Sequence, residues 1–185
     1  SLFTEINGAC FDLVCAILYS FISLALYSDS TTTKVVRLTI SDAVDKWINE
    51  LYNLTPIIKN ELVNQVSPSP SAIVGVKKLF IQMLQYSHLP DFDIKTNGPE
   101  KSIYLNVLNK TGIHRLDNNK YRLLAPNKDE KLLHLWSKWD EEIRKTRDDN
   151  DRLNLINMID VALQKPYGLK YGLAHVLAII KVFGN

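Results

Sequence analysis

The residues best suited to chemistry are cations clustered near the middle of the chain. Between residues 95 and 125, six Lys and Arg side chains are accompanied by only two acids, a local excess of four positive charges. Positive side chains on neighbouring elements can contact the phosphates of nucleic acid. The candidate contacts are therefore Lys101, Lys110, Arg115, Lys120 and Arg122. The open alternative is a solvent-facing hairpin whose charges discourage edge pairing.

A helix and a hairpin are predicted to position these cations. The run from Asn97 to Glu100 combines a cap, a first-turn proline and an acid, and Gly112 follows where the helix is expected to stop. Two short apolar and basic runs then flank a turn at residues 117–119. Helix plus hairpin predicts a winged-helix-like subregion at residues 99–124. It is equally an ordinary way to complete a small α domain.

Other reactive chemistry has no local signature. The sequence contains neither a phosphate-binding glycine loop nor a nucleophile elbow, so we expect no catalytic residue and no cofactor. The acids at 140–142 and 148–151 alternate with Lys and Arg, which is typical of a solvated face. We therefore expect this chain not to be an enzyme.

Metal ligation is not predicted either. The cysteines, Cys10 and Cys15, are five residues apart in apolar sequence, which indicates buried thiols in a reducing compartment. The histidines are widely spaced. Of these, His134 is expected to face solvent and His175, in the apolar last helix, to be a hydrogen-bonded core residue.

Length and composition predict a folded, mainly α protein. The chain has 185 residues, 46% hydrophobic and 23% charged, which excludes the disordered class. The net charge of only +2 leaves any nucleic-acid role to the local patch. We expect about eight helices and one β-hairpin in a single domain over residues 1–185, because the helices that flank the best domain cut, near Asn97, are too apolar to stand alone.

The predicted elements begin with a buried helix at residues 4–27, whose uncharged stretch is shorter than the roughly 20 residues needed to span a membrane. A short strand at 35–40, an amphipathic helix after Ser41 and a helix from Thr55 to about residue 66 follow. We predict no membrane segment and a cytoplasmic location. The first residue, Ser1, and the apolar end favour a fragment of a larger protein.

Two further motifs have structural and functional interpretations. Asn60 and Glu61 form a polar pair in an otherwise apolar predicted helix, either joining helices by buried hydrogen bonds or facing water. Pro166-Tyr167-Gly168 is predicted to form an elbow between two buried helices. Tyr167 would lie at this corner, where the alternative to a structural role is a binding role.

Three segments carry a resemblance. They are Leu-Thr-Pro-Ile-Ile-Lys-Asn-Glu-Leu-Val-Asn at 54–64, Gly-Pro-Glu-Lys-Ser-Ile-Tyr at 98–104 continuing through 107–114, and Lys-Pro-Tyr-Gly-Leu at 165–169. In this order the chain resembles an internal helical region of large bacterial P-loop ATP-binding proteins of phage defence, the ATPase components of BREX-type systems. The resemblance implies a helical domain downstream of an ATPase core that couples hydrolysis to sensing or handling DNA. Their phosphate-binding motif is absent here, so ATP binding is not assigned to any residue.

Two functional hypotheses follow. In the first, the chain is a non-catalytic binding or regulatory domain of a larger ATP-dependent bacterial defence protein and contacts DNA through the basic hairpin. In the second, it is a structural domain that docks on an ATPase core or a partner subunit through its apolar helices. The two differ in whether the hairpin cations share one face.

Overall fold

The computed structural model describes residues 40–65, 67–148 and 153–184. These residues are mainly helical, with seven α-helices and one antiparallel hairpin, which confirms the predicted fold class. The described chain divides between Leu51 and Tyr52. No helix in the described residues is both long and apolar enough to cross a membrane.

Helix α1, Ile40–Leu51, is the described element that precedes this division. It confirms the amphipathic helix predicted after Ser41. The predicted helix at 4–27, the two cysteines and residues 35–39 of the predicted strand lie outside the described residues. Ile40, the last residue of that predicted strand, is the first residue of α1.

Helix α2, Glu61–Asn64, is much shorter than predicted. Asn60 has extended backbone angles, φ −149° and ψ 107°, and its side-chain oxygen accepts from the Leu62 N–H at 3.0 Å. Asn64 donates from its side chain to the Ile58 carbonyl at 2.7 Å, which holds the preceding segment against the short helix. The prediction of a helix from Thr55 is therefore wrong, because the cap lies at Asn60 rather than before Pro56.

Helix α3, Pro70–Tyr86, begins within a run of alternating serines and prolines at residues 67–71. Ser69 caps it by accepting from the Ala72 N–H at 3.2 Å, and Pro70 occupies the first turn. One stripe is buried, formed by Ala72, Gly75, Leu79 and Met83. Gly75 allows close packing on Pro99, since a Cβ at Gly75 would lie 2.6 Å from Pro99 Cβ.

Helix α4, Pro99–Ile103, runs directly into a π-helix, Tyr104–Asn109. Gly98 is the N-cap and Pro99 the first residue, as the sequence predicts, and Gly112 follows with φ +74°. The hairpin comes next, with strands β1, His114–Asp117, and β2, Lys120–Leu123. The predicted order of helix, stop and hairpin is therefore confirmed, whereas the π-helical segment was not predicted.

Three helices complete the chain: α5, Glu130–Asp148, α6, Leu155–Leu163, and α7, Tyr171–Phe183. The fully buried Trp139 of α5 donates from its indole N–H to the Met158 carbonyl of α6 at 2.8 Å. Lys181 of α7 is 2% exposed and donates to Asp140 at 2.5 Å, with its ammonium 5.2 Å from the Trp136 ring centre. Charge pairing and a cation–π contact thus stabilise a lysine within this core.

The apolar face of α7 is covered within its own unit. Its buried residues include Leu173, Val176, Leu177 and Ile180. The apolar character of this helix, which motivated the docking hypothesis, is therefore explained by internal packing. His175 of α7 is only half-buried, so its prediction as a core residue is wrong.

Replacing Asn60 tests the hydrogen bonds that start α2. Asn60→Ala removes the cap and a donor to the Ser102 carbonyl (3.1 Å) at a buried position. We expect the free energy of unfolding to fall by about 1–3 kcal/mol, measured by urea titration.

Asn106→Ala is the matched control. Asn106 also donates to the Ser102 carbonyl, at 2.9 Å, but this bond is exposed, so a change within about 0.5 kcal/mol is expected. Equal losses in the two variants would contradict the role assigned to Asn60.

Candidate nucleic-acid interface

The hairpin is closed by a tight two-residue turn. Asn118 and Asn119 have positive φ values of 48° and 62°, the conformation of a type I′ turn, which asparagine tolerates well. The register pairs His114 with Leu123, Arg115 with Arg122, Leu116 with Tyr121 and Asp117 with Lys120. The turn therefore fixes which side chains lie on each face of the ribbon.

Three of the five candidate cations share one face. Side chains alternate along a strand, so Arg115 of β1 lies on the same side as Lys120 and Arg122 of β2. Asp117 is the one acid on that face, and its carboxylate lies 3.9 Å from the Arg122 guanidinium. We call this set, Arg115, Asp117, Lys120 and Arg122, the basic face.

The arginines on the basic face differ in how firmly they are held. Arg115 is half-buried and donates from Nη1 to the carbonyls of Gly112 and Ala125, the latter at 2.7 Å. Arg122 and Lys120 are exposed. Directly opposed like charges destabilise a strand pair, and the register places the two arginines, Arg115 and Arg122, opposite each other.

The remaining two candidate cations are arranged differently. Lys110 is exposed at the end of the π-helix and donates to the Asn106 side chain at 2.6 Å. The Lys101 ammonium pairs with the Asp91 carboxylate at 2.6 Å and lies 5.7 Å from the Tyr104 ring centre. Because Lys101 is largely buried in this ion pair, it is a weaker candidate for phosphate contact than the sequence indicates.

Lys128 is a cation that the sequence reasoning missed. Its backbone N–H donates to the Thr111 carbonyl at 3.2 Å, and its Cγ would lie 3.4 Å from a Cβ on Gly112. The Gly112 carbonyl also accepts from Arg115, so Lys128 lies beside the base of the hairpin. Its side chain is exposed, and a window extended past residue 125 would have included it.

The opposite face of the hairpin is anchored by His114. This side chain is 2% exposed, and its ring centre lies 4.4 Å from that of Phe92. Nε2 lies 2.9 Å from the Ser87 carbonyl, which only accepts, so Nε2 carries the proton. Nδ1 then accepts from the Tyr104 hydroxyl at 2.7 Å. Burial lowers the pKa of His114, so the ring is neutral at physiological pH.

Unusual backbone conformations surround His114. Asp91, Phe92 and Asp93 have positive φ values of 51°, 54° and 54° in the turn Pro90–Asp93. Left-handed backbone costs roughly 1–2 kcal/mol per residue, so surrounding contacts must hold this turn in place. The buried Phe92 ring packs edge-on to Tyr104 with ring centres 5.0 Å apart. Burial, followed by the charge of Asp91, raises the pKa of the Tyr104 hydroxyl.

The other predicted site residues are distant from the hairpin in the sequence and have different surroundings. Asn60 is buried and Glu61 exposed, so the two halves of that polar pair differ. Tyr167 is 3% exposed, and its hydroxyl lies 2.8 Å from His134 Nδ1. His134 itself is exposed, as its sequence position predicts.

The elbow residues have a packing role. Pro166 follows a cis peptide bond, and its carbonyl accepts from the Leu54 N–H at 3.2 Å. Gly168 has φ +57°, and a Cβ there would lie 2.5 Å from the Tyr52 ring. Only glycine fits this position without a shift of Tyr52.

Titration of His114 tests the buried network. Its pKa is lowered in the folded state from an ordinary value near 6.5, so the unfolded chain binds the proton more readily. The free energy of unfolding should therefore decrease as the pH falls through about 6.5, and level off below the folded pKa. Urea titrations between about pH 8 and pH 5 measure this dependence.

His114→Gln should flatten that pH dependence, and the exposed His88→Gln is the matched control that should retain it. An unchanged pH dependence in His114→Gln would show that other groups cause it.

The described ranges contain no cluster of three His, Cys, Asp or Glu side chains suited to a metal ion. Comparisons with protein-family models, curated proteins and solved structures find no match for the chain.

Proposed function

We propose that this chain is a non-catalytic nucleic-acid-binding domain whose hairpin contacts the phosphates of DNA. The observation that carries the proposal is the register of the hairpin, which aligns Arg115, Lys120 and Arg122 on one face. Exposed Lys128 lies beside the base of this face at Thr111 and Gly112, and exposed Lys110 precedes these two residues in the chain. A helix followed by such a hairpin also supports a winged-helix-like arrangement at residues 99–124.

The difference between the held side chain of Arg115 and the exposed side chains of Lys120 and Arg122 supports the proposal further. The carbonyls of Gly112 and Ala125 hold Arg115 in place, so its guanidinium loses little side-chain freedom on binding. Lys120 and Arg122 lie next to the turn, where an exposed tip can approach a groove. One cation held by the backbone and two exposed cations together favour phosphate binding without base specificity.

The wider setting of the proposal comes from the sequence resemblance. The domain would belong to a larger ATP-dependent bacterial defence protein in the cytoplasm, in which an ATPase core elsewhere supplies hydrolysis. The hairpin would then sense or hold DNA for that ATPase core. The competing function, docking on the core or a partner subunit, is favoured by a different surface on α3.

Charge reversal at the tip of the hairpin tests DNA binding. In Lys120→Glu/Arg122→Glu, Arg115 is retained because its side chain bonds the backbone. Fluorescence anisotropy with a labelled duplex should show affinity reduced by about tenfold or more at low salt. The slope of log Kobs against log[salt] should shrink in magnitude by about two, one for each lost phosphate contact.

The control variant is Lys165→Glu/Lys170→Glu, which makes the same charge change at exposed positions outside the hairpin. It should bind nearly as the unmodified chain does. If both variants lost the same DNA affinity, the loss would be due to net charge alone. Unchanged DNA affinity in the hairpin variant would reject the proposal.

A further inference from the structure

Helix α3 is apolar on two opposite sides. Its buried stripe packs against the rest of its unit, and four large aliphatic side chains lie on the other side of the helix. Their exposed fractions are 44% for Ile73, 50% for Val74, 54% for Ile81 and 65% for Leu84. Single exposed apolar residues are ordinary, but four on one side of the same helix form an apolar stripe.

The spacing of these residues forms a ridge. Ile73, Lys77 and Leu84 are separated by four and seven residues, and Val74 and Ile81 by seven. Side chains at these intervals align along one side of a helix. Ridges of this kind pack into the grooves of another helix, a common mode of peptide recognition. We call Ile73, Val74, Lys77, Ile81 and Leu84 the outer face of α3.

The charge on α3 selects the kind of helix that fits. The helix contains two lysines, Lys77 and Lys78, and no acid. The hydrogen bond from the Thr96 hydroxyl lowers the pKa of the buried Glu100 carboxylate most, and the charge of Lys78 lowers it further. Lys77 is exposed and lies between Ile73 and Leu84 along the helix, on the same side as the four aliphatic residues, so it is the cation that an incoming partner meets.

We propose that the outer face of α3 docks an amphipathic helix of a partner protein that carries acidic residues beside its apolar stripe. Apolar residues of the partner would pack on Ile81 and Leu84, and its carboxylates would pair with Lys77. This inference is independent of DNA binding, because α3 contributes none of the candidate phosphate contacts.

The probe is a synthetic helical peptide with leucines three and four residues apart and glutamates flanking them. A second peptide has lysine at every glutamate position. Titrated into the isotope-labelled full chain, the glutamate peptide should bind roughly tenfold tighter than the lysine peptide. Its amide shift changes should map to α3.

Single variants locate the contacts. Leu84→Ser should lower the affinity for the glutamate peptide by roughly tenfold. Ile156→Ser alters a similarly exposed aliphatic residue on α6 and should have no effect. Lys77→Glu should reverse the preference between the two peptides, and Lys120→Glu/Arg122→Glu should bind the glutamate peptide normally.

Several results would overturn the proposal. They are equal affinity for both peptides, shift changes away from α3, and loss of binding in Ile156→Ser. Binding to anionic phosphatidylserine vesicles but to neither peptide would assign the face to a membrane surface. Self-association abolished by Leu84→Ser, without peptide binding, would assign it to a second copy of the chain.

Discussion

The orientation of the hairpin depends on the burial of one neutral histidine. His114 uses both ring nitrogens, one toward the end of α3 at Ser87 and one toward the π-helix at Tyr104. Because side chains alternate along a strand, a buried His114 requires Arg115 to lie on the other face. A register shift of one residue would bury a guanidinium and expose the imidazole, at a large desolvation cost. The contacts of His114 therefore determine where the basic face lies.

The unusual backbone around His114 is consistent with this constraint. The left-handed turn at Asp91–Asp93 brings the Phe92 ring against both His114 and Tyr104. The ion pair between Asp91 and Lys101 joins the same turn to α4. Positive φ at three successive residues is unfavourable alone, and burial of Phe92 offsets part of that cost. The same turn therefore has an unfavourable backbone conformation and supplies the buried ring that packs against His114.

Local signals in the sequence were sufficient to predict the helix, its stop and the hairpin. Gly98-Pro99 marks the start of α4, Gly112 the stop after the π-helix, and the two asparagines the turn, and each acts through nearby backbone preferences. Once the turn is placed, the alternation of side chains along a strand also predicts that three cations of the hairpin lie on one face. The predicted helix from Thr55 failed because a bond from Asn60 to Ser102, 42 residues away, competes with local helix signals.

Features that depend on distant contacts could not be predicted from the sequence. The sequence around His114 indicates only a polar residue of the hairpin, yet its hydrogen-bond partners, Tyr104 and Ser87, lie 10 and 27 residues away. Lys101 looks like an available cation until Asp91 is placed beside it by a turn with no glycine. The apolar sequence of the last helix is compatible with burial or with docking on another part of a larger protein, and only the structure shows that its apolar face is buried in its own unit while α3 has the exposed apolar face.

The most direct test of the central claim is a chemical-shift footprint of duplex DNA on the isotope-labelled chain at low and moderate salt. The account predicts shift changes centred on the basic face, with Lys110 and Lys128 at its edge, that diminish as salt increases. No shift changes at low salt would contradict the account, and so would changes centred on the outer face of α3.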